Sequence, residues 1–239
     1  MTVNPQDRTL KALSLLLCYP SAELVAALPE IGGVLGAETR LTALLRGDLA
    51  RLVDEMRSGD LYALQERYVD LFDRSRSLSL NLFEHVHGEG RDRGGAMLSL
   101  LETYREAGFE PTGWDLPDHL PLLLEFLSTQ PGETAADILT SAGHILQALA
   151  VRLGRRGSAY AAVPSALVEL AGGVSDHAAV SGLLDQPDSD PADLAALDAV
   201  WEESEVLFGP DPGAGCPSGR DLLARMDQPQ HAASARAAS

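Results

Sequence analysis

Apolar residues recur every three or four positions along most of the chain, which is the spacing of one face of an α-helix. Leu10, Leu13 and Leu17 mark a first helix, and Pro20 ends it because the residue before a proline avoids the helical region. Ser21 is placed to cap a second helix, and Asp60 to cap a later one. The same spacing predicts further helices over residues 39–60, 60–72, 78–87, 92–108, 119–130, 134–157 and 158–173.

No stretch alternates polar and apolar residues with a period of two, and no Asn-Gly or Asp-Gly turn joins two candidate strands. Aromatic residues make up only 5% of the chain, so leucine and alanine must fill most of the core. Both are strong helix formers. The sequence therefore predicts an all-α fold, built as a single-domain helical bundle.

The composition changes near Gly172. From Asp176 onward the chain carries 12 acidic and 3 basic residues, with several proline-containing pairs. One amphipathic stretch, residues 193–208, interrupts this region, and the final residues show no apolar pattern. We predict a helical domain over residues 1–172, an acidic segment with one further helix over 173–209, and a disordered, flexible acidic tail over 210–239.

Charge and cysteine usage narrow the classes of partner and compartment. The formal net charge of −17 repels phosphate backbones, so nucleic acid is not an expected partner, whereas basic protein segments are. Cys18 and Cys216 are far apart and form neither a disulfide framework nor a zinc motif, which is typical of a reducing compartment. No apolar run reaches the length of a membrane span, and the N-terminus does not match a signal peptide. We expect a cytoplasmic protein without membrane insertion.

The stretch FEHVHGEGRDRG, residues 83–94, carries the densest candidate chemistry. In a helix, His85 and His87 would lie roughly 200° apart and could not share one metal ion. Glu84 and His87 form a single ExxH pair, while di-iron bundles need two such pairs. The pattern favours histidines that shape or gate a protein-binding surface, with affinity that changes between about pH 6 and 8. A metalloprotein using Glu84, His85 and His87, with Asp118 and His119 as further ligands, is the alternative.

Four arginines flank the same stretch. Arg74, Arg76, Arg91 and Arg93 would gather if the helix between them returns the loop to its start, and could then hold an anionic group. The same side chains could instead pair with neighbouring carboxylates. Neither a P-loop nor a dinucleotide-binding motif is present. A cofactor- or nucleotide-binding carrier that uses this cluster stays open as an alternative function.

The stretch LPDHLPLLLEFL, residues 116–127, places Pro117, Asp118 and His119 at a predicted helix start. The Asp118 carboxylate is suited to cap that helix, where its charge also favours the helix dipole. An Asp-His pair can belong to a catalytic site, but no serine or cysteine nucleophile motif accompanies it here. The pattern favours a rigid hinge that fixes the entry of a long helix.

Taken together, YVDLFDRSRSLSLNLFEHVHGEGRDRG, LPDHLPLLLEFL and the N-terminal LLLCYPSAEL resemble the delta-subunit family of respiratory nitrate reductase assembly chaperones. This family belongs to the wider group of redox-enzyme maturation chaperones for molybdoenzymes. The resemblance spans roughly Leu10 to Leu170 and implies a helical bundle of that chaperone type, without catalytic activity.

The resemblance also implies a client. Such chaperones bind the N-terminal segment of the apo catalytic subunit of nitrate reductase in the cytoplasm. They hold it competent for insertion of the molybdenum guanine-dinucleotide cofactor and an iron–sulfur cluster, and for docking on the membrane partner. They retain no cofactor and are not part of the finished enzyme. The client-peptide residues expected here are Phe72, Phe83, His85, His87, Pro117, Asp118, His119, Glu125 and Phe126.

Overall fold

The described residues, 7–87, 91–111, 113, 115–174, 176–186 and 188 of the computed structural model, contain helices and loops but no strand. The predicted all-α class is confirmed. The helices are α1 (Arg8–Leu16), α2 (Ala22–Gly36), α3 (Ala43–Ser58), α4 (Leu61–Tyr68), α5 (Glu84–His87), α6 (Arg91–Glu106), α7 (Leu120–Ser128), α8 (Gly132–Arg155), α9 (Ala162–Leu170) and α10 (His177–Leu184).

Side-chain caps begin several of these helices. Ser21 accepts the N–H of Leu24 at 3.2 Å, and Asp60 accepts the N–H of Tyr62 at 3.0 Å, so both predicted caps are confirmed. Each cap satisfies a backbone donor that has no partner inside its own helix.

A leucine-rich core joins the helices. Helix α1 packs against α7 and α2, α3 packs against α2 and α9, and the 24-residue α8 packs against α9 and α10. Side chains such as Leu13, Leu49 and Leu124 have no exposed surface. Burying a leucine of this kind stabilises the fold by about 1.5–3 kcal/mol.

The prediction of one helix over residues 78–87 is wrong for most of that stretch. Residues Arg76–Leu78 form a 3-10 turn, and only Glu84–His87 are α-helical. Between them, the backbone N–H of Leu82 donates to the carbonyl of Asp118 at 3.1 Å rather than to its own turn. A tertiary hydrogen bond therefore replaces the helical one.

Helix α4 ends in a wider turn, Val69–Asp73, in which the N–H of Arg74 donates to the carbonyl of Val69 at 3.0 Å. This is a π turn, and such turns occur frequently at functional sites. It directs Asp73 and Arg74 toward solvent, where both side chains are exposed.

Two predictions fall on other parts of the chain. The amphipathic stretch 193–208 and the tail 210–239 lie outside the described residues, and the domain boundary at 172 stays a prediction. The helices that the structure does describe include none with the length and apolar character needed to cross a bilayer.

Candidate functional site at the Pro-Asp-His turn

The turn formed by Pro117, Asp118 and His119 is clamped onto residues 80–83. Asp118 is fully buried, and its Oδ2 atom accepts the N–H of Phe83 at 3.0 Å. On the other side of the turn, the hydroxyl of Tyr104 donates to the Pro117 carbonyl at 2.7 Å. These hydrogen bonds fix the direction in which α7 leaves the turn.

The predicted role of Asp118 as the cap of α7 is wrong. His119 occupies the cap position, without a side-chain hydrogen bond to the helix. The carboxylate of Asp118 instead points inward to a backbone donor that is distant in sequence. Asp118 is thus a positioning residue for the turn rather than a surface group.

A cleft of about 370 Å³ opens beside this turn, between the end of α1, the π turn and the start of α7. Its walls combine apolar and acidic side chains. The lining residues are Ser14, Cys18, Tyr19, Tyr68, Asp73, Asp115, His119, Pro121, Leu122 and Glu125.

Negative charge dominates this cleft. Asp73, Asp115 and Glu125 bring three carboxylates, whereas no lysine or arginine is among the described residues that line the cleft. Lys11 forms an ion pair with Glu125 at the rim, but the Glu125 side chain remains 45% exposed. Tyr19 is half exposed and supplies an aromatic wall. The cleft can therefore accept a group that is both basic and partly apolar.

His119 is the histidine that faces this cleft. Burial lowers its pKa, and the carboxylates of Asp115, Asp118 and Asp73 only partly oppose that effect. Its Nδ1 atom lies 3.6 Å from Oδ1 of Asp115, too far for a hydrogen bond. The ring is therefore neutral at pH 7 and becomes positive only as the pH falls below the ordinary histidine range.

The charge of His119 is expected to make ligand binding in the cleft depend on pH. A basic ligand in the cleft should bind more weakly as the pH falls from about 7 to about 5, below the ordinary histidine pKa, because protonated His119 adds a positive charge beside it. Calorimetric titrations across this range should show that slope for the natural chain and a flatter one for His119→Gln. His177→Gln, at an exposed histidine that begins α10, should keep the natural slope. Equal slopes in all three proteins would contradict the assignment.

The histidine pair lies on the other side of the turn. His85 Nε2 lies 2.8 Å from the Ser79 carbonyl, and the ring of His87 packs edge-on against Phe83. Burial lowers the pKa of His85, although the hydrogen bond to Ser79 opposes this. Neither histidine is among the residues that line the cleft. Their predicted gating of a partner surface stays a prediction.

The side chains of the alternative metal site make hydrogen bonds to other protein groups. Glu84 accepts a hydrogen bond from Arg93 at 3.0 Å, and His85 is occupied by the Ser79 carbonyl. Burial raises the pKa of Glu84, but the hydrogen bonds and positive charge around it outweigh burial and hold that pKa below its usual value. Within the part of the chain that the structure describes, no three His, Cys, Asp or Glu side chains are grouped to hold a metal ion.

Two predicted peptide contacts lie in the core. Phe72 is 5% exposed and packs between Tyr68 and Tyr160, with ring centroids 5.0 and 5.2 Å away. Phe126 is 1% exposed and packs on Tyr104. Neither ring is accessible in this conformation, so we leave both out of the proposed surface.

Sequence reasoning selected His119 and Glu125, which line the cleft, but missed Asp73, Asp115 and Tyr19. Tyr19 lies within one stretch already singled out, LLLCYPSAEL, and Asp115 directly precedes another, LPDHLPLLLEFL. Their positions could have been noted, but nothing in the spacing shows that the ends of α1 and α4 meet at the turn.

The arginine cluster is partly assembled. Arg74, Arg76 and Arg93 line a second pocket, of about 360 Å³, which shares Asp73 with the acidic cleft. The side chain of Arg91 lies outside the described set.

Comparison of the sequence with known proteins shows which family the chain matches. Residues 38–163 match the model of the nitrate reductase delta subunit. NarJ of Escherichia coli K12, a nitrate reductase molybdenum cofactor assembly chaperone, is 40% identical over 203 residues, covering 85% of this chain and 86% of that protein. NarW of the same organism, named a probable chaperone of that kind, is 38% identical over 212 residues, covering 87% of each.

A third relative, with a lower identity, carries a name of the same kind. The protein named probable NarJ of Bacillus subtilis is 35% identical over 161 residues, covering 66% of this chain and 86% of that protein. The family model spans more than half of this chain, and the Escherichia coli relatives match over most of their length. The chain belongs to the nitrate reductase delta-subunit family.

Proposed function

We propose that this protein is a cytoplasmic chaperone for the assembly of a respiratory nitrate reductase, without catalytic turnover of its own. Its relatives are named as chaperones of molybdenum cofactor assembly in that enzyme. The cofactor is cargo destined for the client enzyme rather than a resident group of this chain. The chaperone leaves when the client is complete.

We place the client contact in the acidic cleft, and this cleft is the observation that carries the proposal. Its three carboxylates attract lysine or arginine side chains, and opposite charge raises the rate of encounter. Tyr19 and Leu122 offer apolar surface to the anchors of an amphipathic segment. Such a surface suits the N-terminal segment of the apo catalytic subunit, provided that the segment is basic and amphipathic.

The clamped turn supports this use of the cleft. Preorganised surfaces lose less conformational freedom on binding, so more of the contact energy appears as affinity. Asp118 and Tyr104 hold the turn in place without occupying the cleft themselves. The client is thus recognised by a rigid wall on one side and by the exposed π turn on the other.

Calorimetric titration with a peptide of the client's N-terminal segment tests the proposal. We expect saturable binding, in the micromolar range or tighter, that weakens as salt is raised because salt screens exposed charges. A matched peptide with glutamine in place of each lysine and arginine should bind more weakly and lose most of the salt dependence. Absence of binding at low and at high salt would contradict the proposal.

A further inference from the structure

The second pocket has a chemistry opposite to that of the client cleft. Arg74, Arg76 and Arg93 face two carboxylates, Asp73 and Glu84, so the lining that the structure describes is net positive in a chain whose net charge is −17. Ser75, Ser79 and Asn81 add polar groups to the wall. A local reversal of sign on so acidic a protein indicates a site for an anion.

The arginines are held close to the pocket by their neighbours. Arg93 donates to Glu84 at 3.0 Å and is only 16% exposed, while its buried Nε–H has no acceptor among the described residues. Arg74 pairs with Asp70 at 2.8 Å on the solvent side and stays 66% exposed. Exposed pairs of this kind contribute little to stability, so an incoming anion can compete for such a guanidinium at low cost.

Size and donor number decide which anion fits. A carboxylate offers two oxygens, whereas the guanidinium groups of Arg74 and Arg93 alone carry about ten N–H donors, of which their ion pairs with Asp70 and Glu84 use only a part. A phosphate group offers more oxygens and more charge, and guanidinium groups bind it in forked pairs. The pocket volume of about 360 Å³ also far exceeds the space that one carboxylate requires.

We propose that this pocket binds the phosphate or diphosphate group of a small molecule. This pocket and the client cleft bind different ligands, although Asp73 belongs to the walls of both. The π turn between α4 and the 3-10 turn contributes to both surfaces, because Asp73 lines both pockets and Arg74 lines only the arginine pocket. A chaperone built in this way carries a client peptide and a phosphate-bearing ligand side by side.

Titration of the full-length protein with inorganic diphosphate tests this site. The natural chain should show saturable binding, and the double variant Arg74→Gln with Arg76→Gln should bind at least about tenfold more weakly, since each lost charged hydrogen bond is a large fraction of such an affinity. Arg51→Gln with Arg57→Gln is the matched control, because it removes the same charge from exposed side chains of α3. This control should bind diphosphate like the natural chain.

Three outcomes would overturn the proposal. They are the absence of saturable diphosphate binding, an equal loss in the α3 control, and diphosphate binding that the pocket variant leaves unchanged. If the pocket variant weakens only a glutamate-containing client peptide, the pocket binds a carboxylate and the phosphate assignment is wrong. Client-peptide affinity measured on the same variant separates this result from a failure of the chaperone proposal.

Discussion

Replacing Arg152 by methionine is expected to lower the free energy of unfolding by about 2–4 kcal/mol, through lost hydrogen bonds at a buried site. Arg152 lies on α8 and is 2% exposed. It donates to the Ser77 carbonyl at 2.9 Å and to the Leu183 carbonyl. The side chain therefore ties the 3-10 turn and α10 to the long central helix.

Methionine is the informative substitute because its volume and flexibility keep the cavity small. The loss then reports mainly the hydrogen bonds that Arg152 makes to the Ser77 and Leu183 carbonyls. Of the two, the Leu183 carbonyl still accepts backbone N–H groups from Asp185 and Gln186. Burial lowers the pKa of Arg152, and Asp188 partly opposes this, but a guanidinium remains charged at any ordinary pH. Arg152→Lys should also be destabilising, since one ammonium on a shorter side chain does not reproduce the planar fork.

Urea unfolding of the natural chain and the variant measures this effect. Arg155→Met is the matched control, because Arg155 is an exposed arginine on the same helix, and its loss should be within about 0.5 kcal/mol. Equal losses in Arg152→Met and Arg155→Met would show that the carbonyl contacts do not stabilise the fold.

Helix positions were predictable from the sequence because the leucine spacing and the side-chain caps act locally. Ser21 and Asp60 cap the helices that their positions predicted. The path of residues 80–83 was not predictable, because the carbonyl of Leu80 and the N–H groups of Leu82 and Phe83 pair with a turn more than thirty residues away in the chain. Local propensity carries no signal of that pairing.

The candidate site was predictable only in part for the same reason. His119 and Glu125 lie within one quoted motif, so both were found. Asp73 carries no such motif signal, but the π turn exposes it in the walls of two pockets. Phe72 and Phe126 were expected at a groove, yet aromatic residues with helical spacing are more often buried, as these two are.

Reversing the charge of the cleft is expected to weaken client-peptide binding by about a hundredfold, since like charges placed against a basic ligand cost several kcal/mol. The variant is Asp73→Lys with Asp115→Lys. The Asp115 side chain is 62% exposed and Asp73 is also exposed, so the fold should tolerate both changes. Part of this loss in affinity should appear as a slower association rate, because the cleft carboxylates steer the peptide before contact.

A control variant separates the effect of the total charge from the effect of where the charges lie. Asp54→Lys with Asp137→Lys changes the total charge by the same amount, but at exposed positions on α3 and α8 that do not line the cleft. This control should lose only a few-fold in affinity, because charges beyond about 10 Å are screened at moderate salt.

The most direct test of the account is therefore one set of calorimetric titrations with the client's N-terminal peptide at a single salt concentration. We predict that the cleft variant loses far more affinity than the control, while both unfold like the natural chain. If the two variants lose affinity equally, the peptide responds to overall charge and the cleft beside the Pro-Asp-His turn is not its binding site.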